Sequence, residues 1–240
     1  MHLTIGWLYS GLMNIYGDRG NVLALERRAR WRGFTTEIRT IGIGQPIPAE
    51  VDVFFFGGGQ DHEQGDVAAD LQGAKGEALK RAVEEGAAML AVCGGYQFLG
   101  HEYRPHQGPA LPGIGLFDLV TVAGSDRFIG NVVVDTPFGE LVGFENHGGL
   151  TTLGPGAEPL GTVRIGRGNN GRDGTEGARY KHAAGCYLHG AVLPKNPGFA
   201  DWLLAAGLSR RHGPVTLPPL DDDAELTAHQ EAKGRAHTRK

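Results

Sequence analysis

The chain has 240 residues, 40% of them hydrophobic and 21% charged, with a formal net charge of −4. That length and composition suit one large globular domain or two small ones. The mild acidity excludes the basic footprint that grips nucleic acid or anionic membranes. The start "MHLTIGWLYSG" lacks a basic segment and a long apolar one, and no uninterrupted apolar run approaches the ~20 residues that span a bilayer. A cytosolic protein with reduced thiols is therefore expected, and its two cysteines, Cys93 and Cys186, are not expected to pair.

In chain order, "LTIGWLY" reads as a first strand. A helix follows, with Asp18 and Asn21 near its start, Val22, Leu25 and Ala29 on one face, and Gly33 to stop it. "FTTEIRTI" is a second strand, and "VDVFFFGGGQ" is a third, apolar throughout and so buried on both faces. Val67, Leu71, Ala74, Ala78 and Ala82 recur at helical spacing and predict one helix from 67 to 83. "AAMLAV" is a fourth strand, and "GGYQFLG" a short helix start. Strand–helix alternation to about residue 100 predicts an α/β layer with a parallel sheet.

Beyond residue 100 the texture changes to short strands, "LFDLVTVAG", "FIGNVVVDTPFGELVGFENHGG" and "LGTVRIG", with Gly, Pro and Asp at the turns. "GRGNNGRDGTEG" is expected to be an exposed loop, "AAGCYLHG" a buried strand and "NPGFADWLLAAGL" the final helix. The forty glycines lie in scattered pairs and triplets, the pattern of many tight turns. Residues 1–208 are expected to form the domain, with 209–240 a charged, solvated or frayed tail.

Cys93 ends the fourth strand and is followed at once by Gly94 and Gly95. An abrupt strand-to-helix turn lifts the residue at the turn out of the sheet, and small neighbours leave room for a substrate, as in a nucleophile elbow. A thiolate there meets the N–H groups and dipole of a helix start, and the Gly94 N–H points to where an oxyanion forms. The plain alternative is a small buried hydrophobe.

Three further features favour chemistry. The glycine triplet of "FFFGGGQDHEQ" lies at the carboxyl edge of the sheet, where open α/β folds bind ligands, and could supply a second oxyanion donor. His189 in "CYLHG" ends a late strand and could serve Cys93 as base. His147 in "FENHGG" is an equal rival by pattern. Arg127 in "SDRFIGN" could grip a carboxylate, although a surface ion pair is the commoner fate of an arginine. Cys186 reads as an inert strand residue.

Together "GGGQDHEQ", "AVCGGYQFLG" and "YLHG" resemble the oxyanion loop, nucleophile elbow and histidine motif of the class I glutamine amidotransferases, in their cobyric-acid-synthase-like branch. "YGDRGN", "SDRFIGN" and "GFENHGG" look like the glutaminase subunits of lipid II isoglutaminyl synthases, and the resemblance covers roughly residues 3–207. It implies a flavodoxin-like open sheet, mostly parallel, flanked by helices and carrying additional antiparallel strands. It implies that Cys93 attacks the side-chain amide of L-glutamine and that His189 acts as general base and then general acid. Backbone N–H groups of Gly58, Gly59 and Gly94 would hold the oxyanion, Gln97 would line the pocket, Arg127 would bind the α-carboxylate, and His147 would be structural.

Many relatives carry an acid two positions after the histidine, where this chain has Ala191. No orienting carboxylate is visible, so a partner is expected to supply or position the third group. No G-x-x-x-x-G-K-[ST] loop is present, so ATP and Mg2+ are expected on that partner. The resemblance implies a Mur-ligase-like ATPase of the MurT type, in a heterodimer in the cytoplasm at the inner face of the membrane where lipid II is made. That partner would amidate the D-glutamate α-carboxyl of the stem peptide to D-isoglutamine. Competing readings are a glutaminase for another synthetase, such as one amidating cobyrinate, a Cys–His hydrolase that does not use glutamine, and a non-catalytic scaffold. No metal-ligand spacing such as H-E-x-x-H or C-x-x-C occurs.

Overall fold

Every residue of the strand Val53–Phe56 is buried, and its phenylalanines alternate. Phe54 and Phe56 join one hydrophobic core and Phe55 another. This is the period-two pattern of a strand covered on both faces. The computed structural model of the chain describes residues 1–14, 17–59 and 61–238. Its first half runs β1 (His2–Leu8), α1 (Arg19–Trp31), β2 (Thr35–Ile41), β3 (Val53–Phe56), α2 (Asp61–Asp70), α3 (Ala74–Glu84), β4 (Ala88–Val92) and α4 (Gly94–Phe98). Then come β5 (Glu102–Arg104), β6 (Leu111–Pro112), β7 (Leu119–Thr136), β8 (Gly139–Leu153), β9 (Gly161–Ile165), β10 (Thr175–Glu176), β11 (Ala178–Tyr180), β12 (Ala183–Cys186), α5 (Pro197–His212) and α6 (Asp223–Thr238).

The first sheet has the order β11-β12-β4-β3-β1-β2 and is parallel except at its β11 edge. Leu3, Ile5, Leu90 and Val92 pack with residues of α1 and α5 on one face, while Leu8, Met89 and Ala91 pack with residues of α2, α3 and α4 on the other. The second sheet has the order β10-β9-β7-β5-β6, with β8 also paired to β7, and is antiparallel except between β5 and β7. Backbone bonds between His189 and Phe144, at 2.8 and 3.3 Å, join the chain following β12 to β8. The carboxyl ends of β1, β3, β4 and β12 therefore face the β7–β8 ribbon.

Four expectations are corrected. The helix foreseen from 67 to 83 is two helices, because Gly73 takes a left-handed φ of 67° between them. The short strands foreseen after residue 115 merge into the 18-residue β7 and the 15-residue β8. Their glycines and prolines mark only an irregularity between Ala123 and Phe128 and the tight turn between Thr136 and Gly139. The glycine-rich segment 166–177 is anchored: Asn169 is fully buried, donates to the Gly177 carbonyl at 2.9 Å and accepts from Tyr96 Oη at 3.1 Å.

The stretch from 209 is not frayed. Residues 209–212 continue α5, and α6 packs Ala236 against Val133 and Val142. Asp222 pairs with the buried Arg28 at 2.5 Å, and Lys233 with Glu140 at 2.7 Å. Arg210, Arg211, Asp222 and Lys233 face partners that lie far away in sequence, so the segment docks while most of its other side chains stay exposed.

Candidate active site

Cys93 occupies the turn from β4 into α4 with φ 54° and ψ −110°, a strained conformation for a residue with a side chain. The surroundings hold it there. Its N–H donates to the Cys186 carbonyl at 2.9 Å, and the Gly95 N–H donates to the Gly57 carbonyl at 3.1 Å. A Cβ on Gly95 would lie 2.5 Å from the Phe56 carbonyl oxygen, so only glycine lets the elbow press on the end of β3. The sulfur is partly exposed, whereas Cys186 is fully buried, and burial pushes the Cys186 thiol well above its usual range. The expected split between one open and one inert thiol matches this geometry.

His189 follows β12 and is 1% exposed. Burial alone drives its imidazole toward the neutral form. The negative charge of Cys93 and the carboxyl of Asp18 more than reverse this, so its pKa is raised. Asp18 is fully buried, and its Oδ1 lies 3.5 Å from His189 Nδ1, an ion-pair distance longer than a good hydrogen bond. His189 therefore faces Cys93 with a carboxyl behind it, in the order nucleophile, base, orienting acid.

A carboxyl of this chain thus lies behind His189, where the sequence showed no orienting carboxylate. An acid just before a helix usually caps it, but Asp18 makes no cap bond to α1. Its Oδ2 instead accepts the Gly58 N–H at 3.0 Å. The rest of "YGDRGN" supports the same contact. A Cβ on Gly20 would lie 2.6 Å from the Ala191 side chain, and Asn21 Oδ1 accepts the Leu193 N–H at 2.9 Å, so α1 presses directly on the loop after His189. The sequence signal for Asp18 was its place after β1, at the sheet edge that carries Cys93 and His189.

The bond to Asp18 also corrects the expected oxyanion set, because it takes up the Gly58 N–H. Gly59 and Gly94 remain side by side at the elbow: a Cβ on Gly94 would lie 3.4 Å from Gly59 N. Gln60, the next residue of the loop motif, lies outside the described residues.

A cleft of about 260 Å³ opens over Cys93, lined by Gly59, Gln64, Gln97, Arg127, Asn146 and His147 among others. It suits a small metabolite rather than a polymer. Gln97 lines it as expected and begins a buried chain: Nε2 donates to Tyr187 Oη at 3.2 Å, which bonds Thr151 Oγ1 at 2.7 Å, which bonds Thr121 Oγ1 at 2.7 Å. Arg127 lies across the cleft, its Nε donating to Asn146 Oδ1 at 2.6 Å. Gln64, 4% exposed, lines the cleft too and was missed, although it ends the quoted loop motif.

His147, the rival base, donates from Nδ1 to the Gly149 carbonyl at 2.8 Å and stacks on Tyr187 at 3.6 Å. It is a neighbour of His189 and Arg127. Behind the site, Glu176 accepts the Tyr187 N–H at 2.6 Å; burial pushes its carboxyl up to about 8, so it is protonated at neutral pH. Among the described residues no group of three or more His, Cys, Asp or Glu is placed to hold a metal ion, and no helix is long and apolar enough to cross a membrane.

An elbow cysteine, a buried histidine backed by a carboxyl and a small polar cleft come together at the edge of an open α/β sheet, the arrangement that thiol-based hydrolysis needs. The chain belongs to the CobB/CobQ-like glutamine amidotransferase domain family, whose model matches residues 4–197. It is 41% identical over 243 residues to the GatD subunit of the glutamine-hydrolysing lipid II isoglutaminyl synthase of Staphylococcus aureus, covering 100% of this chain and 99% of that one. The GatD subunit of Streptococcus pneumoniae is 37% identical over 225 residues, covering 92% and 86%. The cobyric acid synthase of Sphingopyxis alaskensis is 30% identical over 207 residues, covering 80% of this chain and 40% of that enzyme. Solved structures share the fold: PurLQS of Thermotoga maritima at a TM-score of 0.60 and 16% identity, covering 85% and 98%, and the glutaminase domain of Trypanosoma brucei CTPS at 0.56 and 9%, covering 90% and 96%.

Proposed function

We propose that this chain is a glutaminase subunit that hydrolyses L-glutamine through a Cys93 thioester and passes the ammonia to an ATP-dependent partner that amidates lipid II. The observation that carries the chemistry is the buried Asp18–His189 contact beside the elbow cysteine. The raised pKa of His189 suits it to take the Cys93 proton during the attack. Cys93 Sγ attacks the side-chain carbonyl, and the oxyanion forms beside the Gly59 and Gly94 backbones. His189 then gives its proton to the departing nitrogen, which leaves as ammonia. Neutral His189 takes a proton from water as that water attacks the thioester. Collapse of the second adduct breaks the C–S bond, frees glutamate and regenerates Cys93 and His189. Asp18 holds the imidazole in place and favours its charged form. Arg127 binds the α-carboxylate and Gln97 helps shape the pocket.

The full-length match to two GatD subunits supports lipid II as the final acceptor over cobyrinate, since the cobyric acid synthase relative is matched over only 40% of its length. On this reading the partner is a Mur-ligase-like ATPase of the MurT type that binds ATP and Mg2+, the two form a heterodimer, and the complex works in the cytoplasm at the inner membrane face. The test is glutamate release from glutamine by wild type and Cys93→Ala, each with and without the co-expressed ATPase. Release that falls by at least ~10³-fold in Cys93→Ala is expected. Release independent of Cys93 would sink the reading, and D-isoglutamine formed without this chain would remove lipid II as its acceptor.

A further inference from the structure

The catalytic reading leaves one buried group without a task. His147 is 2% exposed, clamped between the stacked ring of Tyr187 and the edge of Phe128 at 5.3 Å. Its Nδ1 lies 2.8 Å from the Gly149 carbonyl, which can only accept, so Nδ1 carries the hydrogen and Nε2 is a bare acceptor. Nε2 has no hydrogen-bond partner among the described residues. Burial first, with the His189 and Arg127 charges, lowers the His147 pKa to about 4 against the Gly149 bond, so the ring is neutral near pH 7. A buried acceptor left unpaired is destabilising, and native proteins keep few of them. This one belongs to a residue lining the cleft that holds Cys93 and Arg127.

Glutamine brings two donors, its carboxamide NH2 and its α-ammonium. The placement of His147 favours the second. Its chain neighbour Asn146 holds Arg127 Nε at 2.6 Å, and Arg127 is the group assigned to the α-carboxylate. The ammonium sits on the carbon that bears that carboxylate. Asp126 also lines the cleft, but it is exposed, and a charge pair in water discriminates weakly. We propose that His147 determines substrate specificity, its Nε2 accepting a hydrogen bond from the α-ammonium of bound glutamine, so that the cleft selects an α-amino acid over other primary carboxamides. This rests on the glutaminase reading and adds to it the group that inspects the α-amino end.

The test compares ammonia release by the full chain from L-glutamine and from 4-carbamoylbutanoate, which is glutamine without its ammonium. Wild type should favour glutamine by roughly 10–100-fold in kcat/KM, as expected for a site that hydrogen-bonds a charged donor. His147→Asn keeps a donor near the Nδ1 position and removes the Nε2 acceptor, and should lower that ratio about tenfold. His147→Gln carries an oxygen to the Nε2 position and should stay within about threefold of wild type. A ratio taken on one preparation does not depend on the fraction folded. Calorimetry of both compounds on Cys93→Ala and on Cys93→Ala with His147→Asn gives the same ratio without turnover.

An unchanged ratio in His147→Asn, or loss in His147→Gln with retention in His147→Asn, overturns the proposal in favour of a structural bond to Gly149. Wild type without preference also overturns it. Failure of wild type to release ammonia from glutamine through Cys93 overturns the glutaminase reading and this inference with it, an outcome distinct from the others.

Discussion

The two sheets divide the work differently. The parallel sheet carries the groups proposed to react at its carboxyl edge: Cys93 after β4, His189 after β12, and Asp18 between β1 and α1. The antiparallel sheet carries Arg127, Asn146 and His147, which line the cleft above them. Catalytic groups must hold one geometry against strain, so they sit in turns anchored by the ends of buried strands. Recognition groups must reach across open space, so they stand on a long ribbon whose one face is solvated. The ribbon is tied to the catalytic strand by the Phe144–His189 backbone bonds, so substrate binding and the base share one frame.

Substitutions on either side should separate the two roles. The largest effect is expected for Asp18→Asn, which keeps an acceptor for Gly58 and removes the charge behind His189. Release of glutamate at saturating glutamine should fall by roughly 10²–10⁴-fold, with KM within a few-fold. An unchanged kcat in the isolated chain would return the third group to a partner. Arg127→Ala is the counterpart on the ribbon. Its KM for glutamine should rise by about 10–100-fold with kcat changed much less. A kcat defect of the Asp18 kind at this position would erase the division between the sheets.

The smallest effect concerns pH. Glu176 lies on β10 of the antiparallel sheet and bonds Tyr187 next to the catalytic strand. Its carboxyl is raised from 4.5 to about 8 by burial. The folded chain therefore holds a proton that the unfolded chain has released. The stability from this group is fully present below about pH 4.5 and is lost as pH rises through about 8. Glu176→Gln should melt close to wild type at pH 5 and a few degrees higher at pH 8.5 (about 2–4 °C), by thermal melting. Equal pH slopes for the two proteins would show that Glu176 is ionised in the folded state.

The sequence was most legible where local pattern and burial agree. Continuous apolar runs marked β1, β3, β4 and β12, and the Cys-Gly-Gly turn marked the elbow. It was least legible where one long element carries turn-forming residues without turning. β7 holds Gly124 and Gly130 inside an 18-residue strand, and the segment 166–177 is rich in glycine yet anchored by Asn169. Asp18 shows the same limit inside the site. Its sequence neighbours place it at a helix start, where an acid ordinarily caps, and only the crossing of α1 over the chain after β12 turns it toward His189.

What the sequence by itself determined was the type and order of the elements of the parallel sheet, the elbow turn at Cys93, the place of His189 after a late strand, and the family, because each depends on residues adjacent in the chain. Tertiary structure alone decided that Asp18 backs the histidine, that the Gly58 N–H serves Asp18, that His147 is a neutral acceptor, and that the charged end docks as α6. Each of these is set by a partner tens of residues away or more, or by burial that fixes protonation, and local spacing carries no record of either.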